Sequence, residues 1–197
     1  MATAMKTFRT ILIALFIVVA GCSNAKPGPD DQREKPNASA IPSVIRAEKQ
    51  QDDFVYRLIA DKEAYVEGDT VTIYAELEYV GEKEQIDIYH AASPFYFPLV
   101  EKTRHYSIPY AMNEPLIQTT LIKGEPLREE YKRSGGYSSS DDAKYIQFMI
   151  DFVDKGFAAG TYEMDGSAQF YIEQEGNPDK KTTYNLKGKI NFIVNES

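Results

Sequence analysis

From Tyr162 to Glu173 apolar and polar residues change places at every step, and this period of two limits the fold more than any other feature. Tyr162, Met164, Gly166, Ala168, Phe170 and Ile172 take one side. Glu163, Asp165, Ser167, Gln169, Tyr171 and Glu173 take the other. An extended strand with one face in a core and one in water requires this pattern, and a helix cannot use it. Leu186, Gly188, Ile190, Phe192 and Val194 repeat it against Lys187, Lys189 and Asn191. Val71, Ile73, Ala75, Leu77 and Tyr79 repeat it again within Thr70 to Tyr79, with Tyr74 the one apolar residue on the polar side.

Shorter runs predict strands over Phe54 to Ala60, Gln85 to His90, Leu116 to Ile122 and Tyr145 to Phe152, about seven strands in all. Glu67-Gly68-Asp69, Gly81-Glu82 and Gly176-Asn177-Pro178-Asp179 read as turns between them. Cleanly alternating strands with few helix-period segments predict an all-β antiparallel sandwich. Glu125 to Ser134 stays open between a short helix, with Pro126 at its first position, and a sheet-edge excursion.

The amino end is of a different kind. Lys6 and Arg9 precede an unbroken apolar run from Ile11 to Ala20, and Val19-Ala20-Gly21-Cys22 follows, holding the only cysteine. A run of about ten apolar residues is too short to cross a bilayer, which takes roughly 20. The layout is that of a cleavable leader over residues 1–21. It resembles the lipobox of bacterial lipoproteins, in which the cysteine thiol is diacylated, carries palmitate-type chains and becomes the new N-terminus. That resemblance implies a membrane partner through diacylglyceryl-Cys22 and a place on the extracytoplasmic face of the cell membrane. Residues 22–52 are polar and rich in Pro, Lys, Asp and Gln, and read as a disordered tether. Within them, Ser43 to Gln51 could form a turn or two of helix. Residues 53–197 then make the folded domain, large enough for one core.

Charge narrows the partners. Loss of the leader removes Lys6 and Arg9 but no acid, leaving 20 basic against 30 acidic residues, a net charge of −10. This argues against nucleic acid, because phosphate binding needs clustered Lys and Arg. It argues equally against a polybasic grip on anionic lipid. With Cys22 assigned to the anchor, no cysteine is left for a disulfide, so the core alone must hold the domain.

Two motifs within the strands carry a resemblance. Tyr65-Val66-Glu67-Gly68-Asp69-Thr70-Val71 resembles the Y-x-x-G-[DE]-x-V opening of many extracellular immunoglobulin-like domains. Gly160-Thr161-Tyr162 resembles the G-x-Y entry to a late sandwich strand, where the tyrosine hydroxyl bonds back to upstream backbone. Together they are similar to bacterial immunoglobulin-like surface lipoproteins, and more distantly to the intracellular proteinase-inhibitor family of bacilli. The resemblance implies an immunoglobulin-like sandwich and carries no ligand and no functional residue.

Residues able to carry chemistry are few. No G-x-S-x-G elbow occurs, and Ser138, Ser139 and Ser140 have no sequence partner. The two histidines, His90 and His105, lie fifteen residues apart, a poor start for zinc. His90 shares a face with Ile86 and Ile88 and reads as a partly buried strand-end residue. Asp52-Asp53, Glu67 with Asp69, and Asp141-Asp142 could feed a weak calcium site, though no EF-hand loop exists. Paired carboxylates for glycoside hydrolysis are uninformative in so acidic a chain, and no tryptophan platform is present. No metal and no cofactor is expected.

Aromatic residues crowd the segment from Tyr89 to Tyr110, broken by Pro94, Pro98 and Pro109. Phe95, Tyr96, Phe97 and Tyr106 could form a surface for a protein or cell-wall partner, since aromatic rings give large contact area at low entropic cost. The same rings could instead cap the sandwich under a long loop. The sequence therefore predicts a membrane-anchored, non-catalytic binding module. The other readings are a small wall-modifying hydrolase and a proteinase-inhibitor-like domain.

Overall fold

The longest alternating run becomes the longest hairpin. In the computed structural model, which describes residues 43–197, the strands are β1 (Ile45–Gln51), β2 (Phe54–Ala60), β3 (Ala64–Val66), β4 (Ile73–Tyr79), β5 (Gln85–His90), β6 (Phe95–Tyr96), β7 (Leu99–Glu101), β8 (Tyr106–Ile108), β9 (Ile117–Ile122), β10 (Leu127–Glu130), β11 (Gly160–Gln174) and β12 (Asn177–Asn195). One helix, α1 (Ala143–Lys155), interrupts them. The leader, the lipobox with Cys22 and the tether as far as residue 42 lie outside the described residues.

Two sheets form. One has the order β1-β2-β4-β10, with every neighbouring pair antiparallel. The other follows β3-β12-β11-β5-β9, with β6 and β7 also on β11 and β8 on β7. In it β3 runs parallel to the end of β12, pairing Ala64 with Ile193 and Asn195 with Val66. The two sheets face each other as an all-β sandwich, with β1 and β2 against β12, β2 also against β11, and β4 against β9.

The core is aromatic. Phe54 sits edge-on to Phe170 and Tyr184, Tyr65 edge-on to Phe192, and Tyr162 stacks on Phe192. Each such ring fully buried contributes roughly 1.5–3 kcal/mol. The two motif tyrosines are both anchored. Tyr162 Oη donates to the Ala158 carbonyl at 2.8 Å, and Tyr65 Oη donates to Asp61 Oδ1 at 2.5 Å. Gly68, at φ +93°, makes the turn that a side chain would resist.

Three expectations change, and one open choice is decided. Tyr145 to Phe152 is not a strand but the middle of α1, whose Phe148, Met149 and Phe152 close one end of the sandwich. Asp142 caps this helix, its Oδ1 accepting from the Lys144 N–H at 2.9 Å. Ser43 to Gln51 is not helical. Ile45–Gln51 is β1, paired with β2 along its whole length from Ile45↔Ala60 to Gln51↔Phe54. The domain therefore begins before residue 53, because a strand that pairs its backbone and turns Ile45 and Ala47 toward the core belongs to it. Glu125 to Ser134 takes the sheet-edge course through β10. Six of the seven expected strands form, and six others join them.

Candidate binding face

Each sheet has an outer face, and the two faces differ in chemistry. On the small sheet, register brings Glu48, Arg57, Glu76 and Arg128 into one row across β1, β2, β4 and β10. Signs alternate along it. Arg57 Nε meets Glu48 at 2.8 Å and its Nη1 meets Glu78 at 2.5 Å, while Arg46 also pairs with Glu48. The Arg128 guanidinium lies 3.4 Å from the Tyr74 ring centroid, which explains the aromatic on the polar side of β4. The Arg57 hydrogen bond, then that of Arg46, holds the Glu48 carboxyl below its ordinary range. Each charge in this row has an ionic partner, while Glu130, two residues along β10, has none among the described residues.

The outer face of the large sheet carries a neutral patch. One row across β9, β5, β11 and β12 reads Gln118, Tyr89, Tyr171, Thr183. Two residues along, Gln169 faces Asn185, and two further, Ser167 lies between Tyr96 and Lys187. Tyr96, Ser167, Gln169, Tyr171, Tyr89, Gln118, Thr183 and Asn185 carry no charge, in a chain whose residues are 26% charged. Charges resume at the borders, with Lys187 at the end of the Ser167 row. Glu173 faces Lys181 on one side, and Asp165 faces Lys189 on the other.

A trough of about 410 Å³ runs through this patch, lined by Tyr89, Tyr96, Gln169, Tyr171, Thr183 and Asn185, among others. Its rim is Glu114, Pro115 and Leu116, the last 71% exposed. Its origin is local. β5 pairs with β11 only at Tyr89↔Tyr171, and β6 rejoins β11 at Ser167 and Ala168. Between them the chain detours through Ala91 to Pro94, and the Gln169 N–H donates to the Pro94 carbonyl at 2.7 Å. His90 pins the detour. Its Nδ1 donates to the Ala91 carbonyl at 2.8 Å, and its Nε2 is hydrogen-bonded to Thr119 Oγ1 at 2.8 Å.

Tyr89 and Tyr171 stack with centroids 5.1 Å apart and planes 12° apart. Lys181 covers Tyr171, its Nζ 4.3 Å from the ring centroid and donating to Tyr171 Oη at 3.2 Å. Desolvation, then the Glu173 and Asp87 carboxylates, raises the Tyr89 phenol above its ordinary value. These contacts fix the two aromatic rings against each other on the outer face of the sheet.

The four aromatic residues expected to form a partner surface do not act together. Phe95 and Phe97 are 0% and 1% exposed and pack on each other and on Tyr56 and Tyr110, so they belong to the core. Tyr106 packs against Tyr145 and Phe148 of α1, away from the trough. Only Tyr96 lines the trough. The residues that sequence reasoning missed are Tyr171, Gln169, Asn185, Thr183 and Gln118. Tyr171 carried a signal, as the one aromatic residue in the outward row of β11.

The remaining polar groups have structural tasks. Glu67 Oε1 accepts from the Ala159 N–H at 2.7 Å, Asp69 Oδ2 from the Val66 N–H at 3.1 Å, and Asp141 Oδ2 from the Ser138 N–H at 2.6 Å. Glu101, 0% exposed, accepts from the Thr103 and Arg104 N–H groups and closes the turn before β8. His105 occupies that turn with φ +60° and borders a shallow groove shared with Ser138, Asp141 and Asp142. Among the described residues no hydrogen bond joins His105 to any of these, and Ser138 Oγ pairs with Ser140 Oγ. Among the described residues, too, no three His, Cys, Asp or Glu side chains gather where one metal ion could be held.

Compared with known protein families, curated proteins and solved structures, the chain matches none.

Proposed function

We propose that this chain is a lipid-anchored extracytoplasmic protein whose sandwich serves as a non-catalytic binding module, with the neutral face of the large sheet as its binding surface. The observation that carries this reading is the contrast between the two outer faces. One carries a row of ion-paired charges, while the other presents a trough lined by tyrosine, amide and hydroxyl groups around few charges. Binding sites combine aromatic surface with a few fixed polar groups in this way.

The anchor comes from the sequence alone. Acyl chains at Cys22 would contribute about 0.8 kcal/mol for each buried CH₂. Among the described residues no helix is long and apolar enough to cross a membrane. Attachment raises the concentration of the module beside any partner fixed to the same surface, which makes a weak individual contact sufficient.

A photo-crosslinking residue placed at Thr183, and separately at Arg128 on the opposite face, tests this in intact cells. Adducts from position 183 and none from 128 are expected. Equal labelling from both positions, or labelling from 128 alone, would remove the neutral face from the account.

A further inference from the structure

We infer that the ligand of the neutral face is an uncharged, hydroxyl-rich glycan chain, an inference that rests on the binding reading above. The argument is one of charge, size and chemical type.

Charge comes first. Burying an unpaired charge is costly, so a ligand that covers uncharged groups is selected to be uncharged itself. The eight side chains named above offer none. Lys187 stands exposed at the end of the Ser167 row, and three of the ionic groups at the borders are engaged. Lys181 lies on Tyr171, Lys189 Nζ meets Glu163 at 3.0 Å, and Asp87 accepts from Thr120 Oγ1 at 2.6 Å. Glu114, at the rim, is the one carboxylate that lines the trough.

Size comes second. Ser167 to Tyr171 spans four residue steps and the longest row spans four strands, so the patch measures about 14 Å each way, or about 200 Å². A stable protein interface needs about 800 Å² from each partner. The patch suits a short stretch of a linear oligosaccharide lying along the trough.

Chemical type comes third. A pyranose ring has an apolar C–H face and a rim of hydroxyls. Tyr89 and Tyr96 supply aromatic surface for the first, and Tyr171, held between Tyr89 and Lys181, backs the Tyr89 ring. Gln169, Asn185, Thr183 and Gln118 supply donors and acceptors for the second, and an amide can do both at once. Gln169 Nε2 already donates to Ser167 Oγ at 3.0 Å, which orients its carbonyl oxygen.

The experiment is co-sedimentation of the full-length, detergent-solubilised protein with chitin, with cellulose and with deproteinated wall from the producing cells. The expected result is saturable retention on at least one of the three. Tyr89→Ala and Tyr171→Ala should each weaken it about tenfold or more, the loss typical of a central aromatic anchor. Tyr89→Phe and Tyr171→Phe should keep most of it, and Glu130→Ala on the opposite face should leave it unchanged. Thermal midpoints measured on every variant separate lost binding from lost folding. Retention on none of the three, or retention indifferent to the alanine variants, overturns the glycan assignment. If the Thr183 crosslinker then captures a protein, the binding module stands and only its ligand is revised. If it captures nothing, both readings fall together.

Discussion

Gly166 and Gly188 face each other across the β11–β12 hairpin, and side chains from the opposite sheet fill the space above them. A Cβ on Gly166 would lie 2.7 Å from Tyr56 Oη and 2.9 Å from Leu58 Cδ2. On Gly188 it would lie 3.2 Å from Ala47 Cβ and from Tyr56 Cε1. The glycine pair lets the two sheets approach at their centre, beneath the neutral face.

Gly166→Ala is therefore expected to destabilise. In a strand, alanine ordinarily gains about 0.5–1 kcal/mol over glycine. Overpacking against a buried tyrosine costs about 1–3 kcal/mol and wins. Gly188→Ala meets looser neighbours and should cost less. Urea unfolding of both variants orders the two effects.

Two buried tyrosines should respond in opposite ways to loss of the hydroxyl. Among the described residues Tyr56 Oη is buried without a hydrogen-bond partner, whereas Tyr162 Oη donates to the Ala158 carbonyl. Tyr56→Phe should leave stability unchanged or raise it, because an unmet polar group is removed. Tyr162→Phe should lose about 0.5–1.5 kcal/mol, the net value of one hydrogen bond. Equal losses in both would contradict the hydrogen-bond assignment.

Stability should form a plateau between about pH 5 and about pH 10 and decline on both sides. On the acid side, hydrogen bonds from Arg57, Lys189 and Lys83 hold Glu48, Glu163 and Glu175 below their ordinary 4.5. Carboxylates depressed in the folded state add stability above that value and lose it as pH falls through their folded pKa. On the alkaline side, burial raises the phenols of Tyr56, Tyr65, Tyr131 and Tyr162 above their ordinary 10.0. Raised phenols keep their full contribution below pH 10 and lose it as pH rises further. Spectrophotometric titration of tyrosinate should show a class that ionises only as the chain unfolds.

The sandwich was legible where one strand decides its own pattern. The inward row of β4 and the rows of β11 and β12 bury as their alternation requires, and Tyr65 and Tyr162 are both tied down at the motifs that suggested the fold. Tyr145, Phe148, Met149 and Phe152 follow helical spacing between Asp142 and Gly156. That signal was present and was outweighed by the apolar density of the segment. β1 was hidden because its inward residues, Ile45 and Ala47, mean little until Asp52, at φ +51°, turns the chain back along β2. The neutral face was the least legible part. It depends on registers among β5, β9, β11 and β12, which lie far apart in the chain, and on the detour at Pro94. No local pattern distinguishes a tyrosine such as Phe97's neighbour Tyr96, which reaches this face, from Phe97 itself, which fills the core.

Hydroxyl-radical footprinting of the anchored protein on intact cells, set against the same protein in detergent, tests the central claim most directly. The account predicts that oxidation of Tyr89, Tyr96 and Tyr171 falls on cells, while Tyr74 on the ion-paired face and Tyr137 in the exposed loop are unaffected. Protection centred on Tyr74 or Tyr137, with Tyr89 and Tyr171 oxidised equally in both settings, would contradict it.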